Sequence, residues 1–339
     1  MNRQTIPAQW RQRPFLAMGC RMAIWLEMAD QRQADSLLDQ AEAMVHDAER
    51  VLSRFDTTSE LSRLNGRVGR WKPVSDLMWS VITQALFMAR ETGGLFDPTQ
   101  LKALETAGYD RSFDEMTPAL VIDEEQAAVD YQGQWREVEL DAAARAVRLP
   151  AGVRLDLGGI AKGHTAQRVV DFLGQAGPCL VDAGGDLTAG AAPRDWPAWP
   201  VAVGAPYGEA PYGGPDGAPT PIDEDVFELW LVDGTMATSG VDYRRWIRNG
   251  RPAHHVIDPR IGGPAETDLL RATVLARTAV RADAWATAAL VLGSAAALQQ
   301  LAAKGFAAAL IDQNERVILS PALTPILAAA RQESIVEVN

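Results

Sequence analysis

Apolar residues recur along this chain at two periods, and the switch between them marks its elements. Residues 15 to 27 alternate apolar and polar positions as a strand does. From 32 to 52, Leu37, Leu38, Ala41, Met44, Val45, Ala48 and Leu52 fall at helical spacing. Ser75 or Asp76 is placed to cap a second helix running to Thr92, where Gly93-Gly94 supplies the left-handed stop. The stretch 118–150 reads as short strands joined by turns, with Val138-Glu-Leu and Val147-Arg-Leu alternating. A helical pattern returns over 160–174, and Leu180-Val-Asp follows as a short buried strand. Pro, Gly, Asp and Ala then crowd the segment 190–224, broken by a short strand at Val201-Ala-Val, so that 204–222 reads as an irregular surface insertion. Beyond it come a strand at 227–232, a loop-rich region to 265, a strand at 271–276, helices at 282–292 and 294–303, and a strand pair over 306–319. Helices and strands are interspersed without strict βαβ alternation, which predicts an α+β fold. No low-complexity linker divides residues 1–339, so one two-lobed body is expected.

The formal charge of -12 excludes a general nucleic-acid binder, which needs clustered Lys and Arg to neutralise phosphates. An acidic chain that handles a nucleotide must rely on helix N-termini, Gly-rich backbone and a metal ion. Cys20 and Cys179 are the only cysteines and form no CxxC, which argues against a zinc site or disulfide framework. Arg11, Arg13 and Pro14 stand where a lipoprotein signal would need an apolar run before Cys20, and no run long enough to span a membrane occurs elsewhere. A cytoplasmic location is the expectation.

Leu155-Asp-Leu-Gly-Gly-Ile-Ala-Lys-Gly-His164 carries an apolar strand end into glycines and then into a helix. That junction suits a pyrophosphate, through exposed backbone N–H groups, the helix N-terminus and Lys162. Taken alone, a tight strand-to-helix turn explains it as well, and its spacing matches neither a P-loop nor a dinucleotide fingerprint. In Ala282-Asp-Ala-Trp-Ala-Thr-Ala288, Asp283 and Thr287 stand four apart and share a helical face, a half-site for Mg²⁺. The competing reading makes Asp283 a helix cap or first-turn acid. His255 lies in the polar block 254–264, where a histidine can orient a phosphate or move a proton, although a His pair is more often structural. Phe55 and Phe96, in the blocks 53–65 and 94–99, are aromatics able to lie against a planar ring.

In this order the blocks Met18-Gly-Cys, 53–65, Gly94-Leu-Phe-Asp-Pro-Thr, Leu155 to Gly163, Asp182-Ala-Gly-Gly-Asp186, Ala237-Thr-Ser-Gly, His255-Val-Ile-Asp-Pro and Ala282-Asp-Ala-Trp-Ala-Thr resemble the ApbE family, the FAD:protein FMN transferases. The resemblance implies a two-lobed T-fold-like architecture with FAD and Mg²⁺ in the cleft. It places Met18 on the flavin side, Phe55, Leu95, Phe96 and Asp97 against the nucleotide, and Asp156 and Lys162 on FAD. His255 and Ile257 fall near the cofactor, and Asp283, Thr287 and the Gly159 backbone oxygen on the metal. The implied reaction is attack on FAD by a Thr or Ser hydroxyl of an acceptor flavoprotein, of the kind found in membrane electron-transfer complexes, with release of AMP. His255 and Asp283 are the alternative bases. Cys20 replaces the usual Thr of the first block and Phe55 the commoner Tyr, so a hydroxyl is missing at each place. A Mg²⁺-dependent FAD pyrophosphatase and a non-catalytic flavin-binding protein are the alternative functions.

Overall fold

The computed structural model describes residues 10–116, 119–120, 133–206, 225–330 and 335–337. Among these, nine strands form one sheet whose spatial order follows the chain: β1 (Trp10–Ala17), β2 (Cys20–Glu27), β3 (Cys179–Ala183), β4 (Leu187–Ala189), β5 (Gly234–Gly240), β6 (Leu269–Ala276), β7 (Ala307–Asp312), β8 (Val317–Leu319) and β9 (Ile335–Glu337). Neighbours are antiparallel except β8 and β9.

The strand expected over 15–27 is therefore two. Ala17 pairs with Cys20 across a two-residue turn in which Met18 (φ 52) and Gly19 (φ 68) are both left-handed, as a tight hairpin with right-handed strand twist requires. Because the turn adds only two residues, the alternation runs through it unbroken and hides the reversal. The Met18 N–H donates to Glu49 Oε1 at 2.6 Å, which ties the hairpin tip to the first helix.

Side-chain alternation in β2 builds two cores at once. Met22, Ile24 and Leu26 pack on Leu38, Ala41 and Val45 of α1 (Gln31–Leu52) and on Val169, Val170 and Leu173 of α5 (Gly158–Leu173). Ala23 and Trp25 face the other way, onto Trp199, Val201, Phe227 and Leu229 of a small outer sheet, Trp199–Gly204, Asp225–Leu231 and Leu327–Ala330. The layers are thus helices, large sheet, small sheet. The expected insertion at 204–222 leaves the end of Trp199–Gly204, and from 207 on it lies outside the described residues, as does much of 118–150.

Between α1 and α5 come α2 (Glu60–Asn65), α3 (Asp76–Glu91) and α4 (Leu101–Thr106). Ser75 is the cap of α3, its hydroxyl accepting from Met78 N. Gly93 and Gly94 end that helix with φ 67 and 91. After β6 the chain forms α6 (Ala279–Leu292) and α7 (Ser294–Ala303).

Helix α6 starts a turn earlier than the spacing predicts and is buried nearly all round, from Ala279 to Val291, with only Arg281 and Thr287 partly exposed. A helix without a solvent face belongs to a core. Its many alanines let it lie close to β5, β6 and α5. The earlier start puts Asp283 in the second turn, so its reading as a cap or first-turn acid is corrected. The uniform apolar run around 279–292 leaves no amphipathic edge from which the start could be read.

Candidate functional site

Helices α5 and α6 touch through a glycine. A Cβ at Gly163 would lie 2.4 Å from Asp283 Oδ2 and 3.0 Å from the Ala279 Cβ, so only Gly admits the Asp283 carboxylate at this contact. One residue earlier, Lys162 Nζ donates to Asp186 Oδ2 at 2.5 Å and to the Ala183 carbonyl at 3.3 Å. Asp186 Oδ1 in turn accepts from Thr238 N at 2.9 Å. The Asp182-Ala-Gly-Gly-Asp186 block is the turn between β3 and β4. It abuts the hairpin tip so closely that a Cβ on Gly184 (φ 76) would stand 2.8 Å from the Cys20 Cβ. Thr287, one turn along α6 from Asp283, shares a 3.1 Å hydrogen bond with the Ser239 hydroxyl.

Electrostatics couple these groups. Burial, then the neighbouring Asp186, push the Asp283 carboxyl well above the usual carboxylate range, against Lys162 and a hydrogen bond to the Gly163 backbone. Burial pulls the Lys162 ammonium down, but Asp186 and Cys20 more than reverse it. Asp283 Oδ1 is buried and has no protein partner. A buried polar oxygen left without a partner costs about 1–3 kcal/mol. A hard cation would supply the missing partner, with the Thr287 hydroxyl on the same helical face. Among the described residues no three His, Cys, Asp or Glu side chains converge as a metal cluster. Mg²⁺ does not need one, since it is held by one or two carboxylates with water and phosphate completing its shell. These residues therefore fit Mg²⁺.

At the start of α5, Gly158 and Gly159 are exposed. Asp156 Oδ1 accepts from Gly158 N at 2.8 Å, satisfying one of the helix's orphan donors. Its other oxygen, Oδ2, is 2.6 Å from Arg54 Nε. The Arg54 guanidinium lies over Phe55 (4.1 Å) and Tyr109 (4.5 Å), and Tyr109 meets the edge of His255 at 6.3 Å. Phe55 is 43% exposed and free to meet a planar ring. The structure thus groups Phe55, Asp156 and His255, and adds Arg54 and Tyr109, which the sequence reading missed. Arg54 stands inside a block singled out in the sequence, so an arginine between Ser53 and Phe55 was a usable signal. Tyr109 had none.

Other residues of the expected site do framework work. Phe96 is 5% exposed, its ring against the Gly159 backbone, where a Cβ would come within 3.0 Å. Asp97 accepts from Thr99 N at 2.8 Å and Gln100 Nε2 at 3.1 Å, and burial still raises its carboxyl. Leu95 is partly buried in the core around α6. Ile257 is buried with Tyr109 and Trp246. The strand end expected before the glycines is only a single bridge at Arg154, and Asn65 pins this segment, its amide exchanging two 2.8 Å bonds with the Leu155 backbone. Asp258 of the His-Val-Ile-Asp-Pro block holds Arg260, which donates to Val291 O at 2.9 Å and so fastens that loop to the end of α6.

His255 and His164 are held neutral. Burial, then Arg244, push His255 down to about 3, with its Nδ1 3.4 Å from the Arg244 carbonyl oxygen. His164, 3.0 Å from the Ser80 hydroxyl, is pushed down to about 4, first by burial. A histidine with its folded pKa depressed binds protons more readily when unfolded. Its contribution to stability is therefore complete above its ordinary value of 6.5 and is lost as pH falls towards 4. Replacing His164 with Asn is expected to flatten that loss. The urea-unfolding free energy of wild type relative to His164→Asn should fall by up to about 1.4 kcal/mol per pH unit across this window, and a pH-independent difference would refute the assignment.

This is an α+β protein that buries a carboxylate, one oxygen of it unpartnered among the described residues, beside a lysine and one turn below the exposed glycines of a helix start, a donor set that fits a cation and an anionic ligand. The ApbE family model matches residues 18–311. The chain is 30% identical over 295 residues to the FAD:protein FMN transferase of Treponema pallidum, covering 81% of this chain and 76% of that protein. With the Salmonella typhimurium FAD:protein FMN transferase it shares 27% over 305 residues, covering 87% and 82%. In fold it is similar to the ApbE protein of Thermotoga maritima, with a TM-score of 0.80 at 24% identity over 94% of this chain and 99% of that one. The Pseudomonas stutzeri flavinyl transferase ApbE gives a TM-score of 0.78 at 22% identity over 95% and 98%. The chain belongs to the ApbE family and is an enzyme of the transferase class. No helix among the described residues is long and apolar enough to cross a membrane.

Proposed function

We propose that this protein is a Mg²⁺-dependent FAD:protein FMN transferase, which joins the FMN phosphorus of FAD to a Thr or Ser oxygen of an acceptor flavoprotein and releases AMP. The observation that carries the reading is Asp283 Oδ1, a buried carboxylate oxygen with no protein partner, one helical turn from the Thr287 hydroxyl. Asp283 and Thr287, with the Gly159 backbone oxygen, would hold Mg²⁺, which when bound neutralises pyrophosphate charge and makes phosphorus more electrophilic.

The remaining work falls to the chain. The start of α5 turns its backbone dipole towards the phosphates, and Lys162, kept charged by Asp186, adds positive potential one turn in. Phe55 offers its exposed ring to a planar base or flavin, and Met18 lies at the hairpin tip beside the same helices. Attack by the acceptor oxygen forms one P–O bond as the bond to AMP breaks, and the hydroxyl proton must leave. Of the two expected bases, the Asp283 carboxyl is pushed upward by burial and Asp186, which makes it the more basic of the two before a metal binds. His255, pushed down to about 3, accepts protons poorly, and its place beside Tyr109 suits it to positioning.

Incubation with FAD, MgCl₂ and an acceptor domain carrying a Ser/Thr target should give a flavinyl adduct by mass spectrometry and one AMP per adduct, and EDTA should stop both. FMN and AMP released without labelling would make the enzyme a pyrophosphatase. Binding of FAD with no AMP under any condition would leave only a flavin-binding protein.

A further inference from the structure

Phe55 and Tyr109 form one aromatic wall. Their rings meet edge to face at 5.8 Å, and Arg54 covers both, 4.1 and 4.5 Å from the ring centres. The arginine is locked, with 7% of its side chain exposed, by the 2.6 Å ion pair with Asp156. Behind Tyr109 stands Trp246 at 5.7 Å, itself fixed by a 2.8 Å hydrogen bond from its Nε1 to the Ala107 carbonyl, and His255 closes the side at 6.3 Å. Tyr109 is thus gripped on every side and only 7% exposed. Yet its hydroxyl has no hydrogen-bond partner among the described residues, and it is not among the buried unpartnered polar atoms, so the little surface Tyr109 keeps includes its oxygen. A buried phenol ordinarily finds a partner for its O–H.

From this we infer that the Tyr109 hydroxyl is a substrate-binding group, donating to an oxygen or ring nitrogen of the dinucleotide that lies against Phe55. The assignment rests on the proposed function and names a group the ring of Phe55 cannot provide. Phe55 supplies the flat face, Tyr109 the polar contact, and Arg54 is the positioning residue that holds both rings and the Asp156 carboxylate in one geometry. Because the two rings touch, a hydroxyl placed on either can reach the same ligand edge.

That last point gives the test. FAD binding is titrated by quenching of flavin fluorescence, with no turnover needed, in the wild type, Tyr109→Phe, and the double variant Phe55→Tyr/Tyr109→Phe. Removing one oxygen from a ring already packed should leave the fold intact, and thermal unfolding checks this. Tyr109→Phe is expected to weaken FAD about three- to tenfold, the worth of one neutral hydrogen bond. The double variant should recover most of the loss. In turnover, the deficit of Tyr109→Phe should appear in the KM for FAD and leave kcat nearly unchanged. Unaltered FAD affinity in Tyr109→Phe overturns the inference, and so does a deficit that the double variant fails to reduce. Absence of FAD binding by the wild type would instead overturn the proposed function.

Discussion

Asp283→Ala is expected to abolish flavin transfer while leaving the protein at least as stable as wild type in metal-free buffer. Catalytically the loss should approach three orders of magnitude, because Lewis-acid stabilisation is worth several kcal/mol and about 1.4 kcal/mol is a factor of ten. The stability half of the expectation has a separate cause. Asp283 is buried beside a second carboxylate, with one oxygen unpartnered, while Lys162 keeps its own partner in Asp186. Deleting Asp283 therefore removes a poorly satisfied buried carboxyl and orphans no cation, the situation in which losing a buried polar group is neutral or favourable. AMP release and the thermal midpoint, measured with and without EDTA, check both halves. A variant that turns over normally would end the assignment of this carboxylate to the metal. One that unfolds many degrees earlier would mean that Asp283 holds α5 and α6 together.

Gly163→Ala should be the more damaging change to the fold. Inside an exposed helix this substitution would gain about 1 kcal/mol. Here the new methyl would lie 2.4 Å from Asp283 Oδ2 and 3.0 Å from Ala279 Cβ, distances at which one helix must move. Overpacking of this kind costs about 1–3 kcal/mol, so the net sign reverses. Because the atom displaced first is the carboxylate itself, turnover should fall further than stability alone explains. Urea unfolding together with AMP release separates the two effects. A stabilised, active Gly163→Ala protein would show that the α5–α6 contact is looser than these distances require.

Much of this was readable in the sequence, and what was missed has identifiable causes. Periodicity found α1 and α3, because each has one face in a core and one towards solvent, while later strands such as β7, buried on both faces, showed as short apolar runs. It gave the wrong start for α6, whose residues are buried on all sides, and it merged β1 with β2 across a turn of two residues. Asp283 and Thr287 were legible as a pair because they stand one helical turn apart. The partners of Asp283 were not: Lys162 and Asp186 come from another helix and a strand turn, and only the folded chain shows that a glycine lets the carboxylate in. Nor was it legible that Asp97 accepts from Thr99 and Gln100, or that Asn65 pins the distant Leu155 backbone. Tyr109 carried no local sign, since what distinguishes it is the set of rings around it.

The order of the large sheet bears on how the protein is made. Each strand lies beside the one that precedes it along the large sheet, so the sheet can extend edgewise as the polypeptide emerges from the ribosome. The half of the site proposed to hold the ion sits on α6, which follows the sixth of those strands, while its glycine and lysine sit on α5, between the second and third. A nascent chain therefore carries the glycine-rich helix start well before the Asp283 carboxylate exists, and the two halves of the proposed site can meet only after the sixth strand has been made.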